Sequence, residues 1–417
     1  LVINYIYLHN MIYNSPFKLK DYSSEKLQEF KEDGVVVFGT GNFGSLVKSA
    51  LEQYNIKINY FLDNNFNNWG NKFEGIHIMS AKDILKKNPS TNVLIASLNF
   101  KYLKRQLKEL GIKNFYDVDF LFKNFDISKV NTKWSKGRCK VQLDLYNYSV
   151  NATREKEKLN VNSIDLVLTE KCSLKCKNCS NLMQYYEQPI DNDLDLLIKS
   201  FDNFTNAVDY CYEVRMIGGE PLMYKNIGKV IEHVLSKKNI GNIIIYTNGT
   251  IVPKGEKIKI FKNPKIYFKI SDYGSHSRNV DKLEKTLSEN NIHYITERVT
   301  TWQDCAKIDN FERTEETNKE IFGNCCVNET LTMLHGKLYL CPYSAHVENL
   351  KVIKPKIKEH IDLFTGSDHN LKSEIKELYF GKEFLEACKI CNGRDHNVAS
   401  IPAAEQTKSV LKLKKFN

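Results

Sequence analysis

A chain of 417 residues is too long for one ordinary core, so two or three domains are expected. The composition is globular, 42% hydrophobic and 26% charged, and the net charge of +10 comes from 60 basic and 50 acidic side chains. The lysines are interleaved with Asp and Glu and form no dense stripe with aromatics, which argues against nucleic acid as a partner and leaves anionic small molecules such as phosphorylated sugars compatible.

The opening apolar stretch, residues 1–8, is too short to span a membrane and is followed by no clear small-residue cleavage site. The chain begins at Leu1, with Met11 a candidate start. Val35-Val36-Val37-Phe38 then predicts a buried strand. Gly39-Thr40-Gly41-Asn42-Phe43-Gly44 follows, then a helix over 45–53 and a strand, Ile58-Asn59-Tyr60-Phe61-Leu62, ending at Asp63. Gly-x-Gly-x-x-Gly between strand and helix, with an acid after the second strand, is the pattern of a dinucleotide-binding turn. Gly39, Gly41 and Gly44 would let phosphate oxygens approach the helix N-terminus, and Asp63 would hold a ribose hydroxyl. A strand at 93–96, a helix at 102–110 and a short strand at 115–118 continue the pattern, which stops near residue 125, about half of a full dinucleotide domain.

This segment resembles the small Rossmann-like domains attached to bacterial sugar-modifying and polysaccharide-assembly enzymes. The resemblance implies either a nucleotide or sugar nucleotide at this domain, or a docking or sugar-recognition module that binds no nucleotide. Residues 126–160 are polar and irregular and predict a linker with one helix over 151–159.

From Ser163 onward strands and helices alternate, which predicts a parallel sheet with functional groups on the loops at the C-terminal ends of its strands. The first strand includes Ile164-Asp165-Leu166-Val167-Leu168 and precedes Cys172, Cys176 and Cys179. Thiolates crowded as Cys-x-x-x-Cys-x-x-Cys ask for a soft metal centre. Three ligands leave a position open, where a structural zinc site is normally closed by a fourth. Helix 193–210 leads to a strand, Glu213-Val214-Arg215-Met216-Ile217, which runs into Gly218-Gly219-Glu220-Pro221. Helix 226–236, strand Ile243-Ile244-Ile245-Tyr246 with Thr247-Asn248-Gly249-Thr250, and strand Ile266-Tyr267-Phe268-Lys269-Ile270 with Ser271-Asp272-Tyr273-Gly274 follow, then a strand at 293–295.

The three cysteines and the Gly-Gly-Glu-Pro segment, in this order, resemble the motifs of the radical S-adenosylmethionine (SAM) enzymes. The resemblance implies that Cys172, Cys176 and Cys179 hold three irons of a [4Fe-4S] cluster whose open iron chelates SAM. It implies that Gly218, Gly219, Glu220 and Pro221 meet the SAM amino group, and that Asn248 and Ser271 line the SAM ribose and the substrate. An electron from a donor such as flavodoxin or ferredoxin would split SAM and yield a 5′-deoxyadenosyl radical that takes hydrogen from the substrate. Asn178 stands where the family usually has an aromatic residue or His, a departure at the position of the family's ring contact to the adenine.

A third cysteine group follows. Leu331-Thr332-Met333-Leu334 and Lys337-Leu338-Tyr339-Leu340 flank His335-Gly336 and predict a hairpin between Cys326 and Cys341; Cys388-Lys389-Ile390-Cys391 completes a four-thiolate set. The pattern resembles the SPASM and twitch auxiliary-cluster domains, and with four or five cysteines available it implies one auxiliary [4Fe-4S] cluster. Cys325 and Cys326 compete for one ligand position, and the glycine spacing favours Cys326. The alternative is a closed zinc site. Cys139 and Cys211 fit small buried apolar positions. Cys305 is a candidate catalytic residue that returns a hydrogen atom to a substrate radical, and His276 is a strand-end loop residue. Residues 405–417 predict a frayed basic helix.

The expected architecture is therefore α/β: a Rossmann-like doubly wound domain over 1–125, a linker over 126–160, a partial (β/α)6 barrel over 161–312, a Cys-rich auxiliary-cluster domain over 313–400 and a basic tail over 401–417. The expected function is radical SAM chemistry, oxidation or epimerisation, on a sugar or sugar-nucleotide substrate. A peptide-modifying maturase and a non-catalytic metal-binding scaffold are the alternatives. Eleven cysteines without a signal peptide fit metal chemistry in a reducing cytoplasm.

Overall fold

The computed structural model describes residues 17, 21–88, 90–130, 132, 134–255, 257–353, 359–364, 370–394, 398–413 and 415–416; residues 1–8 and Met11, named above, lie outside the described residues. The described residues fall into two compact units, one within Ser15–Arg154 and the other within Glu155–Asn417.

In the first unit, helix α1 (Ser24–Asp33) leads to β1 (Val35–Phe38), whose four residues are all buried and apolar. Helix α2 (Asn42–Gln53) and β2 (Ile58–Leu62) follow, then a short hairpin of β3 (Lys72–Phe73) and β4 (Ile76–Met79). Helix α3 (Ala81–Lys87), β5 (Val93–Ile95), α4 (Phe100–Glu109) and β6 (Phe115–Asp117) complete the winding. The sheet order is β3-β4-β2-β1-β5-β6, parallel from β4 to β6. The chain therefore reverses direction at β1, and Gly39–Gly44 sits at that topological switch point, where ligands bind in open α/β sheets.

The glycines there have separate jobs. A Cβ on Gly39 (φ +128°) would lie 2.5 Å from the Ala96 carbonyl oxygen, and one on Gly44 would lie 2.2 Å from the Gly39 carbonyl oxygen. These two let helix and strand meet. A Cβ on Gly41 would meet nothing within 4 Å, so the middle glycine faces open space.

The polar-linker expectation for 126–160 is corrected by helix α5 (Lys136–Ala152), capped by Ser135. Its Cys139, Leu143, Tyr146 and Val150 are buried in the core of the first unit. The Tyr146 hydroxyl donates to the Ile95 carbonyl (3.1 Å) and accepts from the Val118 amide (3.1 Å), and Arg154 pairs with buried Asp119 at 2.8 Å. The expected helix over 151–159 is absent; α5 ends where it was to begin. The helix was missed because its apolar positions are diluted by Gly, Lys, Asn and Ser, so its burial shows only against the sheet.

In the second unit, five parallel strands run β7 (Asn160–Thr169), β8 (Tyr210–Gly218), β9 (Ile240–Thr247), β10 (Ile266–Asp272) and β11 (His293–Arg298). Helices α6 (Leu194–Ala207), α7 (Ile227–Leu235) and α9 (Val280–Glu289), with the single turn α8 (Lys257–Ile260), connect them. Short β12 (Thr301–Gln303) and α10 (Glu315–Asn324) precede β13 (Thr330–Leu334) and β14 (Lys337–Tyr339), joined at His335-Gly336 as a tight hairpin. This hairpin does not stand apart. β13 lies parallel to β7, and β14 pairs with β15 (His360–Asp362), so one open sheet runs β11-β10-β9-β8-β7-β13-β14-β15. The sixth parallel strand is thus supplied by the cysteine-flanked hairpin, on the far side of β7. Helices α11 (Pro342–Asn349) and α12 (Leu371–Phe380) follow, and β16 (Ser400–Pro402) pairs antiparallel with β12.

Register explains which face does what, because successive strand side chains point to opposite faces. Ile164, Leu166, Val214, Met216, Ile243, Ile245, Phe268 and Ile270 are buried in the apolar core. Asp165 stands opposite Arg215, and Tyr246 opposite Lys269, on the other face. The described residues after β16 form turns, bends and one isolated bridge but no helix, which corrects the expected basic helix at the C-terminus.

Candidate functional site

The cysteine loop begins where β7 ends. The Gly219 amide donates to the Thr169 carbonyl at 2.8 Å, and the Glu220 amide to the Lys171 carbonyl at 2.9 Å. The end of β8 therefore lies directly against the loop. A Cβ on Gly218 (φ +133°) would sit 2.2 Å from the Thr169 oxygen, and one on Gly219 2.2 Å from the Lys171 oxygen and 3.0 Å from Cys172 Cβ. Only glycine pairs permit that approach. Within the loop the Cys179 amide bonds the Cys176 carbonyl (3.3 Å) and the Leu182 amide the Cys179 carbonyl (2.9 Å).

Cys172, Cys176 and Cys179 line a cavity of about 380 Å³ with Gly218, Gly219, Asn178, Asn248 and Ser271. Burial pushes the Cys172 thiol up to about 12 and the Cys176 thiol up to about 11, and raises Cys179 as well; neighbouring thiolate charges add to the effect on Cys172 and Cys176. Amides act the other way: the Leu174 N–H on Cys172, and those of Met183 and Asn181 on Cys179. Asn248 Nδ2 lies 3.1 Å from Ser173 Oγ and 3.7 Å from Cys172 Sγ. Among the described residues no three Cys, His, Asp or Glu side chains converge closely enough to hold a single ion. Three soft donors spread around an open cavity, with N–H groups aimed at their sulfurs, fit a [4Fe-4S] cluster with one open iron.

The Gly-Gly-Glu-Pro segment divides at its middle. Gly218 and Gly219 line the cavity, whereas Glu220 and Pro221 do not. Glu220 is fully buried and accepts from the Asn248 amide (2.9 Å), Thr247 Oγ1 (3.0 Å) and the Leu222 amide (3.1 Å). It ties the end of β9 to the turn that opens at Pro221. Burial pushes its carboxyl up to about 7 against the pull of those donors.

The strand faces add residues that motif reading did not pick out. Asp165, Arg215, Tyr246 and Ser271 line the cavity from β7, β8, β9 and β10. Arg215 is bonded to buried Glu213 at 3.1 Å and stands 3.8 Å from Asp165 Oδ1, an oxygen with no hydrogen-bond partner. Burial raises the Asp165 carboxyl to about 6, opposed by Arg215 and Arg394. The signal was present: a charged residue flanked by apolar neighbours in a strand marks the face turned away from the helices. Tyr273 and Trp302, edge to face at 5.4 Å, wall the same cavity.

A second, smaller cavity is lined by Cys325, Cys341, Cys388, Cys391, Tyr343 and Arg394. Cys325, not Cys326, joins the other three there; Cys326 is exposed and lines the larger cavity instead. Glycine spacing favoured Cys326, but the turn after α10 points adjacent side chains in opposite directions. The Leu385 amide donates to Cys388 Sγ (3.4 Å) and the Gly393 amide to Cys391 Sγ (3.3 Å). Cys305 is buried and lines the larger cavity, and Arg394 lines both. His276 lies in the turn Gly274–His276 and is not among the cavity-lining residues. Cys139 and Cys211 are fully buried.

In the first unit, Thr40, Gly41, Asn42, Ser45, Lys48 and Glu74 line a cavity of about 820 Å³ at the start of α2, whose first turn has no side-chain cap. Asp63 bonds the Thr40 hydroxyl and the Asn65 amide (2.7 Å), so both of its oxygens are engaged within the turn.

Residues 31–115 match a family model described as C2185-like, N-terminal, and residues 166–277 match the radical SAM superfamily. The GTP 3′,8-cyclase of Syntrophomonas wolfei subsp. wolfei is 29% identical over 102 residues, 23% of this chain and 30% of that protein. That of Clostridium acetobutylicum is 31% identical over 104 residues, 25% of this chain and 32% of that protein. The chain thus spans about a third of the length of these curated relatives. BtrN in complex with AdoMet and 2-DOIA aligns with a TM-score of 0.35 and 18% identity, over 60% of this chain and 98% of that one. Native anSMEcpe with bound AdoMet aligns at 0.35 with 12% identity, over 60% and 93%. The radical SAM superfamily match over 166–277 takes in the three-cysteine loop, the paired glycines set against it, Asn248 and Ser271.

Proposed function

We propose that this radical SAM enzyme acts on a sugar or sugar nucleotide, by oxidation or epimerisation. The supporting observation is the polar inner face of the parallel strands, above all Asp165 Oδ1, buried at the cavity and without a hydrogen-bond partner. A substrate rich in hydroxyl groups would satisfy that acceptor, while Arg215 keeps the carboxylate charged and oriented. When bound, the cluster and SAM supply the hydrogen-abstracting radical. The chain's own part is to place the target. Cys172, Cys176 and Cys179 would hold the cluster, Gly218 and Gly219 would offer backbone to SAM, and Tyr273 with Trp302 would keep water from the reacting face. The relatives named GTP 3′,8-cyclase support a nucleotide portion in the substrate. Separately, the uncapped helix start at Gly41 in the first unit would suit a nucleotide or sugar nucleotide bound at that domain.

Cys325, Cys341, Cys388 and Cys391 would hold an auxiliary cluster, and Cys305, beside Arg394, remains the candidate hydrogen donor. The enzyme would work in a reducing cytoplasm with flavodoxin or ferredoxin as electron donor. The test is 5′-deoxyadenosine formation by anaerobically reconstituted protein given SAM and dithionite, with UDP-glucose, UDP-N-acetylglucosamine, GTP or short peptides. Stimulation and substrate conversion by the nucleotide sugars alone are expected. Conversion of peptides alone would replace this reading with peptide maturation, and no SAM cleavage under any condition would leave a metal-binding scaffold.

A further inference from the structure

Beyond β16 the chain returns to the cysteine loop. Cys176 and Gln406 face each other in an antiparallel bridge. The Lys177 amide donates to the Glu405 carbonyl and the Thr407 amide to the Lys175 carbonyl, both at 2.7 Å. The Gln406 side chain completes the set: its Oε1 accepts from the Lys175 amide (2.7 Å), and its Nε2 donates to Cys176 Sγ (3.3 Å) and to the Ala404 carbonyl (2.7 Å). Ala404, just before, is fully buried, so the segment is anchored and not merely laid on the surface. Upstream, the Ala403 amide bonds the Thr300 carbonyl (3.0 Å), and β16 is paired with β12.

We propose that residues 403–407 form a strap on the cluster loop, and that Gln406 is a positioning residue that orients Cys176 and raises the reduction potential of the SAM-binding cluster. An N–H group directed at a cluster sulfur stabilises the more negative, reduced state, so it shifts the potential upward. A neutral amide does this without adding charge. Its oxygen is occupied by the Lys175 amide, which fixes which end of the side chain faces the sulfur. A Gln here therefore acts where a Leu could not, and a Glu would act in the opposite sense. The proposal does not depend on which substrate the enzyme takes.

The test is a redox titration, followed by electron paramagnetic resonance, of reconstituted full-length protein and its Gln406→Leu and Gln406→Glu variants. The signal followed is the one missing when Cys172, Cys176 and Cys179 are all changed to Ala. A more negative potential for Gln406→Leu at unchanged iron content, and a further negative shift for Gln406→Glu, are expected. Equal potentials in all three proteins would overturn the tuning role. Hydrogen exchange of the unaltered protein tests the strap separately, even if the variants load no iron. Slow exchange at the Lys175, Lys177 and Thr407 amides is expected, and exchange at the rate of a free loop would overturn it.

Discussion

At the residue scale, the paired glycines and Asp165 make the sharpest predictions. Gly219→Ala forces a methyl to within 2.2 Å of the Lys171 carbonyl oxygen, a backbone atom that cannot swing away. We expect a loss of about 1–3 kcal/mol in stability, the usual cost of an overpacked site, together with reduced iron loading, read by thermal denaturation and iron content. Asp165 has its carboxyl raised to about 6 by burial, so the charged form that accepts a substrate hydroxyl is lost as pH falls through 6. Substrate turnover should therefore drop below pH 6, and Asp165→Asn should lower turnover and flatten the profile; an unchanged profile would remove Asp165 from substrate binding. The three cysteines were legible because the proposed ligands of one cluster sit in one short loop. Asp165 and Arg215 were legible as charged residues within apolar strands, but their meeting depends on the register of β7 against β8.

At the scale of elements, the strands at 35–38, 58–62 and 93–95 and the hairpin at His335-Gly336 formed as their patterns indicated. Alternation and turn chemistry are local properties, and local rules suffice for them. Helix α5 and the C-terminal segment were misread because their stability comes from partners far along the chain. This has a practical consequence for truncation. Removing residues 1–125 leaves the apolar side of α5, with Leu143, Tyr146 and Val150, stripped of its core. Removing residues 1–154 takes the whole unit away. We expect the shorter fragment, 155–417, to be monodisperse by size-exclusion chromatography and to load iron, and the longer fragment, 126–417, to aggregate.

At the scale of the whole molecule, two measurements test how the second unit is built. Iron and sulfide analysis should give about eight irons per chain, falling to about four when Cys172, Cys176 and Cys179 are changed to Ala. Four irons with one zinc would make the Cys325–Cys341–Cys388–Cys391 centre structural. The second measurement concerns His346 on α11, which is fully buried and bonded through Nδ1 to the Tyr186 hydroxyl at 2.8 Å. Burial lowers its pKa to about 4. A lowered folded-state pKa means its contribution is complete above the unfolded value, about 6.5, and is lost as pH falls toward 4. The difference in urea-denaturation stability between the native protein and His346→Phe should change by up to about 3 kcal/mol over that window. A constant difference would show that the imidazole is not held neutral. By itself the sequence carried the motifs that resemble the radical SAM enzymes, because thiolate spacing, glycine pairs and strand-end loops are short-range patterns that can be read without a fold. Only the tertiary structure decided that Cys325 rather than Cys326 faces the second cavity, that the hairpin extends the main sheet, that α5 belongs to the first unit, and that the C-terminal segment lies on the three-cysteine loop. Each of these rests on contacts between residues distant in the chain, and the free energy that selects them is burial and hydrogen bonding across elements, which no local pattern records.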